Sequence, residues 1–172
     1  MKKIIKIGAE KNIAGLLWKA LDVTEKGVLC LAEKLPDDIR FDKKCNDWRT
    51  SDLREYLNTE FYQNLVTEVG EDNIIPFKRD LLSLDGQTEY GTCEDKVSLL
   101  NVDEYRRYRN LIPNADYWWW LLTAWSTKCN GDTIWNTVVS PRGDFDFDDF
   151  NNDNCVRPFC IFSPTIFESE DE

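Results

Sequence analysis

The sequence predicts an α+β fold, in which strands flank two helical segments and do not alternate with them. Three observations carry this reading. Apolar residues recur at helical spacing within 48–65, a second short helical stretch follows residue 100, and runs rich in aromatic and β-branched residues lie near both ends of the chain.

Taken in order, "KKIIKIG" (2–8) and "AGLLWKALDV" (14–23) read as opening strands, and "GVLCLAEKL" (27–35) repeats the pattern after the turn-like "TEKG". "WRTSDLREYLNTEFYQNL" (48–65) is the clearest helix. Leu53, Tyr56, Leu57, Phe61 and Leu65 share one face, Ser51 or Asp52 supplies a cap, and Asp52 with Glu55 has capping-box spacing. Segment 69–95 lacks clear periodicity and reads as connecting structure with one short strand near 74–77. "KVSLLNVDEYRRYRNLIPN" (96–114) reads as a strand and then a short helix, with Asn101 and Glu104 at capping-box spacing and Pro113 marking the end. "DYWWWLLTAW" (116–125), "TIWNTVVS" (133–140) and "CVRPFCIF" (155–162) are strand candidates, and "PRGDFDFDDFNNDN" (141–154) reads as the loop between the last two. Residues 1–166 read as one domain and 167–172 as an acidic, disordered tail.

Composition narrows the function classes. The chain has 172 residues, a formal net charge of −11 and no histidine. The acidic balance argues against nucleic-acid or anionic-membrane binding, because phosphates need Lys and Arg to neutralise them. Lack of histidine excludes Ser-His-Asp and Cys-His catalysis and zinc sites built on histidine. The six cysteines form no CxxC pair, no apolar run is long enough for a membrane span, and the N-terminus lacks a signal-peptide core. These features predict a cytoplasmic protein with mostly reduced thiols, the even count of six leaving paired cysteines as the alternative.

Few constellations carry chemistry. "YWWWLLTAW" (117–125) holds four of the seven tryptophans. In a strand, Trp118 and Trp120 face one side while Tyr117, Trp119 and Leu121 face the other. One set must face the core, and the other lies under a helix, under a loop or in a binding groove. Trp118, Trp120, Trp125, Trp135 and Arg157 are therefore the candidate ligand-binding residues. Asp144, Asp146 and Asp148 alternate with Phe145 and Phe147 and offer hard oxygen ligands, so Ca²⁺ and a plain solvated loop are the two readings of that run. Arg142–Asp144 spell RGD, a short match that chance supplies often. Arg157 reads as a buried cation paired with Asp52, Glu55 or the acidic loop. Cys155 and Cys160, five apart along a strand, point to opposite faces and read as inert buried thiols.

"LWKALDV", "WRTSDLREYLNTEF", "VSLLNVDEY", "WWLLT" and "VRPFCIF" occur in this order between residues 14 and 162. The order resembles an uncharacterised domain family of Gram-positive gut-type bacteria and their phages. That family carries a W-x-x-S-x-[LI]-R-x-[WY]-L-N-x-x-F helix, a WWLR-[ST] strand and a closing VRP motif. The resemblance implies a C-type-lectin-like fold, two helices packed on a twisted antiparallel sheet with long irregular loops. It implies no established activity. Trp119, Trp120 and Arg157 match the family pattern, whereas Leu122 replaces its Arg and Ala124 its usual Pro. In sugar-binding lectins of that fold calcium lies near Glu-Pro-Asn and Trp-Asn-Asp motifs. Here "WNT" (135–137) is a partial match and Glu-Pro-Asn is absent.

The resulting expectation is a non-enzymatic binding or structural module for a protein or glycan, with no cofactor beyond the Ca²⁺ alternative. A phage origin would place it in a virion. An acidic nucleic-acid mimic is the second reading, and a metal- or cysteine-dependent enzyme the third.

Overall fold

A hairpin turn, not the apolar run, decides where the first strand forms. The computed structural model describes residues 4–168. Strand β1 (Glu10–Ile13) and β2 (Leu16–Thr24) are joined by Ala14 and Gly15, whose φ values are 53° and 77°. Positive φ at both positions gives a two-residue turn whose twist matches its strands, and that turn sets Glu10 opposite Lys19 and Ile13 opposite Leu16. The strand expected at 2–8 does not form over residues 4–8, and Ile4 is 95% exposed; residues 2 and 3 lie outside the described part.

Strand β3 (Gly27–Ala32) pairs with β2 and then with β12 (Phe159–Phe162), which brings the two ends of the fold side by side. Gly27 permits that approach, because a Cβ there would lie 2.5 Å from the Phe162 carbonyl oxygen. Strand β5 (Ile74–Ile75) adds to the far side of β12, giving the order β1-β2-β3-β12-β5. A second antiparallel sheet has the order β10-β9-β8, from β8 (Trp119–Ala124), β9 (Trp135–Val139) and β10 (Phe145–Asp149). A parallel bridge between Trp119 and Cys155 links it to the chain entering β12. Two short ribbons complete the set, β4 (Ile39–Arg40) with β11 (Asp153–Asn154) and β6 (Phe77–Asp80) with β7 (Thr92–Asp95).

Several segments depart from the sequence reading. Segment 141–154 is not a loop, since it contains β10 and β11. Its Phe/Asp alternation is a strand period, and the carboxylates sit on the free edge of the sheet, where charge discourages pairing with another chain. Around residues 96–100 only Ser98 bridges, to Phe159, and the closing strand begins at Phe159, after Pro158. Of the expected tail, Phe167 packs against the core, and residues 169–172 lie outside the described part.

Helix α1 consists of Asp52–Tyr56, a π-helical turn at Leu57–Phe61, and Tyr62–Val69. Ser51 caps it, accepting from the Arg54 amide; Asp52 instead lies inside the first turn, and its amide donates to Asp42 Oδ1. The π turn begins where the Asn58 amide group donates to the Arg54 carbonyl, a side chain inserted into the helix ladder. Helix α2 (Val102–Arg107) has the expected capping box between Asn101 and Glu104.

The helices lie on opposite faces of the sheets. One apolar cluster joins Leu53, Leu57, Phe61 and Leu65 of α1 to Trp18, Cys30 and Phe162 of the first sheet and Trp120, Leu122 and Val138 of the second. The other joins Val102 and Tyr105 of α2 to Leu31, Phe159 and Ile161 and to Trp119, Leu121 and Val139. Full burial of each large side chain contributes about 1.5–3 kcal/mol, so these clusters dominate the stability of the fold. The architecture is α+β, as expected.

Candidate functional site

Strand β8 is buried on both faces, which accounts for half of the tryptophan cluster. Trp120 is fully buried against Phe41, and its indole N–H donates to the Ile39 carbonyl at 2.8 Å. Trp119 lies on the other face, edge-on to Tyr105 of α2 at 5.7 Å. Trp120 is thus a core residue, not a ligand contact. The alternation expected along the strand is present, but a helix covers each face.

The aromatic surface lies at the other end of the same sheet. Phe147 is 43% exposed and packs at a tilt against Trp125 at 4.6 Å and edge-on to Trp135 at 5.2 Å between ring centroids. Trp135 is 38% exposed, Trp125 is half-buried, and the neighbouring Ile134 is also open. Strand pairing builds the trio. Phe147 stands opposite Thr137, and Trp135 precedes Thr137 by two residues, so all three side chains share a face. The Trp125 amide donates to the Trp135 carbonyl at 3.0 Å, which brings the third ring alongside.

Three of the four buried tryptophans donate their indole N–H inside the core, Trp119 being the fourth. Trp18, Trp48 and Trp120 donate internally to the Ile13 carbonyl, Asp95 Oδ2 and the Ile39 carbonyl. Trp118, Trp125 and Trp135 make no side-chain hydrogen bond among the described residues. They combine an open ring face with an available donor, the pairing that interfaces and sugar stacking use. Carboxylates flank the trio. Asp149 stands opposite Trp135 in the ladder, and Asp132 Oδ1 accepts from the amides of Ile134 and Trp135. Behind Trp125, Asp85 accepts from Ser83 and Ser126. Burial raises its pKa, but these hydrogen bonds outweigh that effect and hold it below the ordinary carboxylate value. Beneath the trio, Thr137 is completely buried and its hydroxyl has no partner among the described residues.

The other predicted residues are dispersed. Trp118 is exposed on its own, next to Trp119 but outside the trio. Arg157 makes no ion pair with Asp52, Glu55 or the acidic strand. Its Nε donates to the Ala32 carbonyl at 3.0 Å and its guanidinium lies 4.9 Å from the Trp119 ring centre. Asp144, Asp146 and Asp148 do not converge. Asp144 accepts from Ser140, Asp146 from the Phe147 amide, and Asp148 from Asn152 and Asn154. No group of three His, Cys, Asp or Glu side chains suited to a metal occurs among the described residues. The RGD turn is pinned from outside, with Asn114 donating to the Arg142 carbonyl and Tyr105 to the Gly143 carbonyl. Cys155 and Cys160 fall in different core clusters, on opposite faces, and burial pushes both thiols up, Cys155 to about 12.

The motif residues of the first helix hold structure. Trp48 and Arg54 both donate to the buried carboxylate of Asp95, at 2.8 and 2.6 Å. Asn58 donates to the Val97 carbonyl and accepts from the amides of Lys96 and Val97, so α1 clamps the segment after β7. Sequence reasoning missed Phe147 and Ile134. The signal for Phe147 was the "DFDFD" alternation, which is legible as a strand once it is not assigned to a loop.

Fold and surface together define an α+β chain with one helix on each face of its antiparallel sheets and an open aromatic trio on the smaller sheet. No protein-family model matches the chain, and no curated protein or solved structure matches it either. No helix among the described residues is long and apolar enough to cross a membrane.

Proposed function

We propose that the chain is a non-enzymatic binding module of C-type-lectin-like architecture, and that its protein or glycan ligand is met by Trp125, Trp135 and Phe147. The observation that carries this reading is the trio itself, Phe147 at the surface in ring contact with both Trp125 and Trp135, whose indole donors have no internal partner among the described residues. A stable core does not require such a surface, and exposed large apolar residues in contact mark interaction sites. The lectin-like reading is supported by the pairing of β3 with β12, by one helix on each face, and by a smaller sheet carried on the connections between α2 and β12. The non-enzymatic reading is supported by the thiols of Cys30, Cys155 and Cys160, which burial keeps protonated and so poorly nucleophilic.

The test is a glycan array run beside affinity capture, comparing the natural chain with Trp135→Ala and Phe147→Ala. A ligand kept by the natural chain and lost by both variants, with unchanged circular dichroism, is the expected outcome. Equal binding by the variants, or no ligand in either format, would overturn the reading.

A further inference from the structure

Arg157 differs from the arginines that hold ion pairs. Arg49 pairs with Asp47, Arg54 with Asp95, Arg79 with Glu104 and Arg106 with Asp103. Arg157 has no carboxylate within 4.0 Å among the described residues, in a chain with 32 acidic and 21 basic residues. Its isolation is therefore not for want of acids. The side chain is half-buried beside Trp119, with Nε fixed on the Ala32 carbonyl. Both η nitrogens, four N–H donors in one plane, are left without a protein acceptor among the described residues.

The surroundings suit a negative guest. Lys34 Nζ lies 5.4 Å from the centre of the Tyr117 ring and puts a second cation at the rim, where Asp116 also acts on Tyr117 and Asp38 is engaged by the Cys155 thiol. The Tyr117 hydroxyl makes no hydrogen bond among the described residues, whereas that of Tyr105 is already committed to Gly143. Glu33, the carboxylate that acts on Arg157, accepts from the Leu17 amide. Burial pulls the Arg157 pKa down, with Tyr117, Tyr105 and Glu33 opposing, as expected for a cation partly withdrawn from water. Withdrawing a charge without an opposite charge is costly, and a bound anion removes that cost.

We propose that Arg157 anchors an oxyanion subsite, where its two η nitrogens grip a carboxylate or phosphate group bidentately while the Tyr117 hydroxyl and Lys34 ammonium line the rim. Guanidinium geometry matches both groups. The subsite uses none of the trio's residues, so either assignment stands or falls without the other.

The test is thermal unfolding in sodium phosphate, sodium acetate and sodium chloride at equal ionic strength, on the natural chain, Arg157→Gln and Arg157→Lys. Phosphate stabilises most folds by exclusion from their surface, and Arg157→Gln supplies that baseline. At ten times the dissociation constant, the natural chain should gain about 3–6 °C over the Arg157→Gln shift. Arg157→Lys should gain less, having lost the planar fork. A gain in acetate alone assigns a carboxylate, one in phosphate alone a phosphate, and one in both an unselective oxyanion site. Parallel shifts in the natural chain and Arg157→Gln would overturn the proposal. Should Arg157→Gln not fold, ¹⁵N titration of the natural chain decides. The Arg157 side-chain signals move while those of Arg54 and Arg79 stay, or the proposal fails.

Discussion

Replacing Asp95 by alanine removes the acceptor on which the first helix is clamped. Three bonds disappear, from the Trp48 indole at 2.8 Å, from Arg54 Nε at 2.6 Å and, more weakly, from the Cys93 thiol at 3.6 Å. Trp48 is buried, so its N–H is left unsatisfied at a cost of about 1–3 kcal/mol. The charge-assisted bond to Arg54 contributes about 1.5–3 kcal/mol. Arg54 keeps its bonds to the carbonyls of Arg49 and Glu94 and is not orphaned. Releasing the buried carboxylate from its desolvation offsets part of the loss. The net expectation is about 3 kcal/mol, at the low end for a broken buried pair and a large part of the ~5–15 kcal/mol that holds most domains folded. Urea unfolding followed by circular dichroism measures it. The midpoint should fall by about 1–2 M with an unchanged slope. Asp95→Asn, which keeps one acceptor oxygen, should fall between. A loss below about 0.5 kcal/mol in Asp95→Ala would refute the clamp.

Other perturbations separate core from surface. Trp120→Phe should cost about 2 kcal/mol through the lost bond to Ile39 and the space left behind, while Trp118→Ala stays within about 0.5 kcal/mol; equal costs would contradict the assignment of faces. Thr137→Val replaces a buried hydroxyl that has no partner among the described residues and should stabilise by about 1 kcal/mol in the same urea assay; destabilisation would show that the hydroxyl has a partner in solution. Asn101→Ala should cost about 1 kcal/mol and reduce the helical signal, since it removes the cap of α2. Stability should fall in alkali. Burial raises Tyr90 and Tyr108 to about 12, and both donate hydrogen bonds, to Asn46 and Asp22, that need the proton. Their contribution is complete below the unfolded tyrosine value of about 10 and disappears as pH rises through about 12. The raised thiols of Cys93 and Cys155 begin the decline near pH ~8.5, and a flat urea midpoint across this range would contradict it.

The features readable from sequence were those governed by local chemistry. The Leu53–Leu65 face and the Asn101–Glu104 cap depend on residues three or four apart, and both occur as expected. Over residues 4–8 the expected strand does not form because pairing is set by the turn at Ala14–Gly15, so the polar Glu10–Ile13 forms the ladder and Ile4 does not. Nor does the sequence around Asn58 announce a π turn, whose cause is a side chain bonded at once to Arg54 and to the distant Val97. For the tryptophans, alternation along β8 was legible, but not that α1 and α2 would cover both of its faces. Trp125 and Trp135 were candidates by residue type alone. Their meeting at Phe147 depends on β9–β10 register, which no short stretch encodes.

The seven indole N–H groups provide a direct map of the binding face. In a ¹H–¹⁵N titration with the ligand found by array or capture, the signals of Trp125 and Trp135 should move together to saturation. Those of Trp18, Trp48 and Trp120, bonded inside the core, should stay in place. Saturable binding that leaves Trp125 and Trp135 unmoved would show that the aromatic trio is not the binding surface.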